Sequence, residues 1–152
     1  MTPEERMQKV GLALPEVPQP IANYVPFCRV GELLFLSGQG PRQPDGSYSM
    51  GRVGSEVSIT QAYADARLTG LILLSVAKRA IGDLSRIKGI VKLFGMVNAE
   101  PDFADHPKVI NGCSDMVVDV LADAGRHARS AVGMGSLPNR MTVEIEAILH
   151  VE

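Results

Sequence analysis

Apolar positions along the chain fall into two periods. Over residues 60–81, Ala62, Ala66, Leu73, Leu74, Ala77 and Ile81 approximate a helical stripe, and Gly82 stands where such a helix would end. Over residues 103–124, Val109, Ile110, Met116, Val117, Val120 and Leu121 repeat the pattern ahead of Gly125. The remaining apolar runs have strand character. Residues 27–37 read as a strand pair broken by Gly31. The second half carries Leu33 and Phe35 on one face and Leu34 and Leu36 on the other. Residues 86–97 are also apolar on both faces. Residues 127–135 and 142–149 supply two more strands, joined through 136–139.

The predicted order is therefore strands, helix, strand, helix, strands. An α+β domain, with two long helices covering one face of a sheet, is the simple solution. Because several strands are apolar on both faces, the uncovered face needs burial too. Other copies of the same chain would supply it most economically, so a homo-oligomer is expected.

The beginning of the chain has the form of a helix start. Thr2 can cap, Pro3 suits the first turn and Glu5 completes a capping box, with the helix running to about residue 12. Residues 14–26 are proline-rich and should be extended and irregular. Residues 42–54 form a loop or short hairpin around a turn at Pro44, Asp45 and Gly46.

A length of 152 residues fits one domain, 1–152, with a real core. The net charge of −2, with no basic stripe, does not favour nucleic-acid binding by phosphate neutralisation. No apolar run approaches the roughly 18 residues a bilayer span needs. The charged start, Met-Thr-Pro-Glu-Glu-Arg, has no apolar signal region, so no membrane association and a cytoplasmic location are expected. Cys28 and Cys113 are far apart and read as reduced core thiols. His106, His127 and His150 form no ligand pattern, so no metal is expected. Lys78, Arg79, Arg86, Lys88 and Lys92 read as a solvated basic face.

Arg129 is the residue that asks for an explanation. Residues 127–135 otherwise read as a buried strand, and an unpaired buried guanidinium costs several kcal/mol. Strand alternation puts Arg129 on one face with Ala131, Gly133 and Gly135, whose small side chains leave space beside it. That space suits a bidentate carboxylate or phosphate. An internal Arg129–Glu ion pair would satisfy the same residue, and spacing alone does not separate the two.

Several segments resemble the RidA/YjgF family, also called the L-PSP endoribonuclease family. They are Ile21-Ala-Asn-Tyr24, Ser37-Gly38-Gln39, Asn111 in Val-Ile-Asn, Ala128-Arg129-Ser130, and Val143-Glu-Ile-Glu-Ala-Ile148. Their order and spacing agree over roughly residues 20–151. The N-terminal helix and its proline-rich lead-in, residues 1–19, fall outside the resemblance.

The resemblance implies a chorismate-mutase-like α+β fold with a mixed sheet. It implies a homotrimer whose sheets form a central barrel, with ligand sites between subunits. It implies hydrolysis of small 2-imino acids to 2-oxo acids and ammonia, without metal or cofactor. Carried over by residue, Arg129 resembles the clamp on a substrate carboxylate and Glu144 the group positioning the attacking water. Tyr24 resembles the tyrosine closing the pocket, Ser37 and Gly38 its wall, and Asn111 a helix residue beside it.

One departure stands in that wall. Many members carry a cysteine two residues after the arginine, where this chain has Ala131, so chemistry needing a thiol there is lost. The 133–138 loop also differs from that of the best-known deaminases. A non-catalytic trimer that binds small carboxylic acids is therefore a second expectation. An endoribonuclease rests on the family name alone.

Each residue also has a structural reading. Glu144 and Glu146 share a face and would be ordinary surface carboxylates if that face is solvated; Glu146 is read as structural. Tyr24 could simply pack. Ser37 could satisfy a backbone group at the strand end, and Asn111 could make one specific hydrogen bond in mid-helix.

Overall fold

The computed structural model of the chain describes residues 1–16, 20 and 22–152. The proline-rich lead-in at positions 17–19, and position 21 of the segment ending in Tyr24, lie outside the described residues. Eight regular elements follow in order: α1 (Pro3–Lys9), β1 (Phe27–Val30), β2 (Leu33–Gln39), α2 (Ile59–Ile81), β3 (Ile87–Asn98), α3 (His106–Leu121), β4 (Ala128–Met134) and β5 (Val143–Val151). They make a single α+β domain on one five-stranded mixed sheet, ordered β1-β2-β5-β3-β4. All neighbours are antiparallel except β3 and β4, which run parallel.

The helix ends follow the local signals. Thr2 Oγ1 accepts the Glu5 N–H, and a Glu5 carboxylate oxygen accepts the Thr2 N–H in return. The start of α2 lies one residue before the expected Thr60, because Ser58 caps it by accepting the Gln61 N–H. The start of α3 falls at His106 rather than Phe103, whose own N–H closes a turn onto Glu100. Pro107 fits the first turn of α3, where its missing N–H goes unused.

Both long helices pack on one face of the sheet. The stripe read along α2 understates its burial, since Gly70 through Ala77 are all buried. The helix is covered by the sheet, by α3 and by the N-terminal segment, whose Pro15 carbonyl accepts the Ser75 hydroxyl. Helices α2 and α3 touch closely at Gly112, where a Cβ would lie 2.0 Å from the Tyr63 carbonyl oxygen.

Strand alternation separates two unlike faces. Leu34, Leu36, Ile145, Ala147 and Leu149 are buried under the helices. On the other face Leu33, Phe35, Val91 and Val132 remain exposed, as the two-sided apolar pattern requires of a single chain.

Two expectations need correction. The strand bearing Arg129 is not buried: among the described residues β4 pairs only with β3, and its residues are exposed or half-buried. Cys28 is exposed rather than core, because β1 is the opposite edge and sets Cys28 across from Phe35 on the open face. Cys113 is fully buried, and burial pushes its thiol up to about 12.

Candidate functional site

The bulge in β2 shapes the site. Leu36 pairs with Ala147 and Gln39 with Ile145, so Ser37 and Gly38 together oppose Glu146 alone. Such an insertion kinks a strand and re-aims its side chains. The Ser37 hydroxyl donates to the Val25 carbonyl at 2.6 Å, and its N–H donates to Pro26. Ser37 therefore fastens the Tyr24 segment to the sheet, the structural role its sequence setting allowed.

Beside the bulge opens a cleft of about 560 Å³ on the face away from the helices. Tyr24, Ser37, Gly38 and Glu144 line it together. Glu144 lies so close to Gly38 that a Cβ there would stand 2.8 Å from its carboxylate. Glu144 is partly buried, and this burial, followed by the charge of Glu146, raises its pKa from the ordinary glutamate value.

Other residues of the lining were not singled out as site residues from the sequence. Glu146, read as structural, borders the cleft, as do Gln39, Tyr48 and Asn139. Asn139 and Arg140 both hold left-handed backbone, with φ of 55° and 53°. A bidentate contact from Arg140 to Glu56, at 2.8 and 3.1 Å, ties this corner down. Two such non-glycine residues in succession are uncommon. The Arg140 carbonyl also accepts the Gly51 N–H at 2.9 Å, a long-range tie that no local motif encodes.

Arg129, Asn111 and Ala131 lie elsewhere. Arg129 pairs with Leu93, which is buried under the helices, whereas Glu144 pairs with Met96 on the open face. Arg129 thus reaches from the edge strand onto α3. Its Nη1 donates to the Ser114 hydroxyl at 2.9 Å and its Nη2 to the Pro107 carbonyl at 3.3 Å. Pro107, Asn111 and Ser114 are spaced along one face of α3, which brings Asn111 to the Arg129 side. Ala131 shares that face and packs against the core.

Among the described residues no carboxylate lies within ion-pair distance of Arg129. The internal Arg129–Glu pair is therefore not formed. The other basic residues behave largely as a solvated face, with Lys78 on Glu4 and Lys88 on Glu152. No group of three or more His, Cys, Asp or Glu among the described residues is arranged to hold a metal ion. No helix among them is long and apolar enough to cross a membrane.

Comparison with known proteins places this architecture. The family model described as "YjgF/chorismate_mutase-like, putative endoribonuclease" matches residues 4–144. The match takes in most of α1, which the resemblance read from the sequence left out. Protein TCP17 of Trypanosoma cruzi is 38% identical over 146 residues, covering 95% of this chain and 91% of that protein. A Shewanella oneidensis protein called a "putative endoribonuclease" superposes with a TM-score of 0.95 at 34% identity, over 99% of this chain and all of that one. Atu1372 of Agrobacterium tumefaciens, of unknown function, superposes with a TM-score of 0.92 at 42% identity, over 99% and 92%. With the fold, the bulged strand and the closing Glu-Ile-Glu strand in place, the chain belongs to the YjgF/chorismate mutase-like family.

Proposed function

We propose that the protein is an imine deaminase that hydrolyses 2-imino acids to 2-oxo acids and ammonia in a cleft shared by two copies of the chain. The observation that carries this reading is the state of Arg129. A guanidinium has five N–H donors. Two are engaged by Ser114 and Pro107, and among the described residues no carboxylate lies within ion-pair distance. A carboxylate from outside the chain suits such a group.

Glu144 and Arg129 lie on opposite faces of one sheet, so one chain cannot bring them to the same small molecule. A neighbouring copy can. The exposed Leu33, Phe35, Val91 and Val132 favour association through the open face, and the family resemblance suggests a homotrimer. Each cleft would then take its Arg129 from one subunit, and Tyr24, Ser37, Gly38 and Glu144 from the next. Asn111 and Ala131 would flank the arginine.

The chemistry asks for little more. Arg129 holds the substrate carboxylate and fixes the imine carbon in place. Glu144 takes a proton from a water whose oxygen attacks that carbon, and the C=N π electrons move to nitrogen. Glu144 returns that proton to nitrogen to give the carbinolamine, and then relays the hydroxyl proton to the same nitrogen, so that the C–N bond breaks, the C=O forms and ammonia leaves. A carboxylate with a raised pKa suits this exchange, because it takes up and returns the proton nearer neutrality. No metal or organic cofactor enters the scheme.

A second reading, a non-catalytic trimer binding small carboxylic acids, is favoured by Ala131, which puts no thiol two residues after the arginine. The endoribonuclease description of some relatives draws less support. The cleft pairs Glu144 with Glu146, and the chain's net charge is −2, both unfavourable to a polyanion.

The test is hydrolysis of freshly generated 2-iminopropionate by wild type, Arg129→Ala and Glu144→Ala. The reading expects both variants to lose at least about 100-fold in kcat/KM. Rates at the uncatalysed level for all three proteins would overturn it. Binding of 2-oxobutyrate without turnover would favour the second reading.

A further inference from the structure

We propose that Ser114 and His127 are positioning residues that lock the plane of the Arg129 guanidinium, an inference that rests on Arg129 being the carboxylate clamp. A chain of hydrogen bonds links Arg129 to the backbone at Gly125. His127 Nδ1 is within hydrogen-bond distance of the Gly125 carbonyl oxygen. A carbonyl can only accept, so Nδ1 carries the proton. In the neutral ring this leaves Nε2 as an acceptor.

Nε2 lies 2.9 Å from the Ser114 Oγ. The Ser114 hydroxyl therefore donates to the histidine and turns its lone pairs away. One of them receives the Arg129 Nη1 donor, also at 2.9 Å. The hydrogen bonds run in one direction, from Arg129 to Ser114, to His127, to the Gly125 carbonyl. The far end is anchored in backbone, since Gly125 is buried and packs so tightly that a Cβ would lie 2.3 Å from the Val117 carbonyl oxygen.

The second guanidinium nitrogen is fixed independently by the Pro107 carbonyl, one face of α3 supplying both supports. Holding Nη1 and Nη2 at once hinders exchange of the two nitrogens by rotation about Nε–Cζ, and by stopping rotation about Cδ–Nε it sets the plane in which the remaining N–H groups point. A bidentate carboxylate needs coplanar donors, so a locked plane favours binding by removing an ordering cost. Neither Ser114 nor His127 need touch the substrate.

Arginine side-chain NMR of the full-length protein reads the lock directly. Wild type should show two separate Arg129 Nη resonances. Ser114→Ala and His127→Phe should merge them, and Ser114→Thr, which keeps the hydroxyl, should restore the separation. Merged resonances in wild type, or separate ones in both Ser114→Ala and His127→Phe, would overturn the inference whatever the activity.

Kinetics give a second arm. Ser114→Ala should raise KM for 2-iminopropionate about tenfold with kcat changed less than twofold, and Ser114→Thr should recover most of the loss. A KM within twofold of wild type in Ser114→Ala would also overturn it. Failure of the deaminase reading is a separate result, uncatalysed rates in wild type and Arg129→Ala alike.

Discussion

Arg129 and Glu144 stand on opposite faces of the same sheet, one beside Leu93 under the helices and the other beside Met96 on the open side. If both serve one substrate, they come from different subunits. Mixing Arg129→Ala chains with Glu144→Ala chains should then rebuild working clefts. With random reassembly at equal amounts, about a quarter of the clefts pair an intact arginine with an intact glutamate. Activity should recover to about that fraction after co-refolding, while each variant alone stays inactive. No recovery in verified mixed oligomers would place both residues in one subunit's site, or outside the site altogether.

The approach of Gly38 to Glu144 makes the glycine a sensitive position. An alanine methyl would fall 2.8 Å from the carboxylate oxygen, and the glutamate must swing away. The obstructing atom ends a flexible side chain, so the fold should tolerate the change. Gly38→Ala should lower kcat by about 10- to 100-fold with Tm little altered. An unchanged kcat would show that the observed Glu144 position is not the working one.

Burial, then the neighbouring Glu146, raises the pKa of Glu144 in the folded chain. The folded state thus holds a proton there more readily than the unfolded state. Its contribution to stability is present below the unfolded carboxylate pKa and is lost as pH rises through the raised value. Glutamine has no charge to desolvate. Glu144→Gln should therefore melt higher than wild type at pH 7, and the gap should close towards about pH 3.5, where both side chains are largely neutral. A gap that persists unchanged at low pH would assign the gain to packing.

The open face can be tested without touching the cleft chemistry. Phe35 is 40% exposed, so an aspartate there should leave the single chain folded while opposing its association. Phe35→Asp should reduce the solution mass from about three chains to one, with the circular dichroism spectrum retained. An unchanged mass would move the interface off this face.

The parts of the fold legible in the sequence were those set locally. The capping box at Thr2 and Glu5, the turn at Gly31 and the period of α2 depend on neighbours within a few residues. The face shared by Arg129 and Ala131 was legible for the same reason. Strand order was not, because it follows from pairings between distant segments. Arg129 was accordingly placed in a core strand, and Cys28 was expected inside, though both β4 and β1 are edges.

The site divides in the same way. Tyr24, Ser37, Gly38 and Glu144 meet in one cleft, as their motifs implied. The Ser37 and Gly38 bulge exists only relative to the register of β5, and the left-handed Asn139 and Arg140 pair sits where the Arg140 carbonyl meets the distant Gly51 N–H. Residues whose geometry is set by a distant partner leave little trace in their own neighbourhood.

The two thiols differ in a way that a chemist can use. Cys113 is sealed between the helices with its ionisation suppressed, so alkylating reagents should pass it by. Cys28 sits across from Phe35 on the open face. In a separated chain one maleimide dye would attach at Cys28 without mutagenesis, and neighbouring copies meeting on that face would slow the reaction. The natural sequence thus carries its own spectroscopic gauge of assembly.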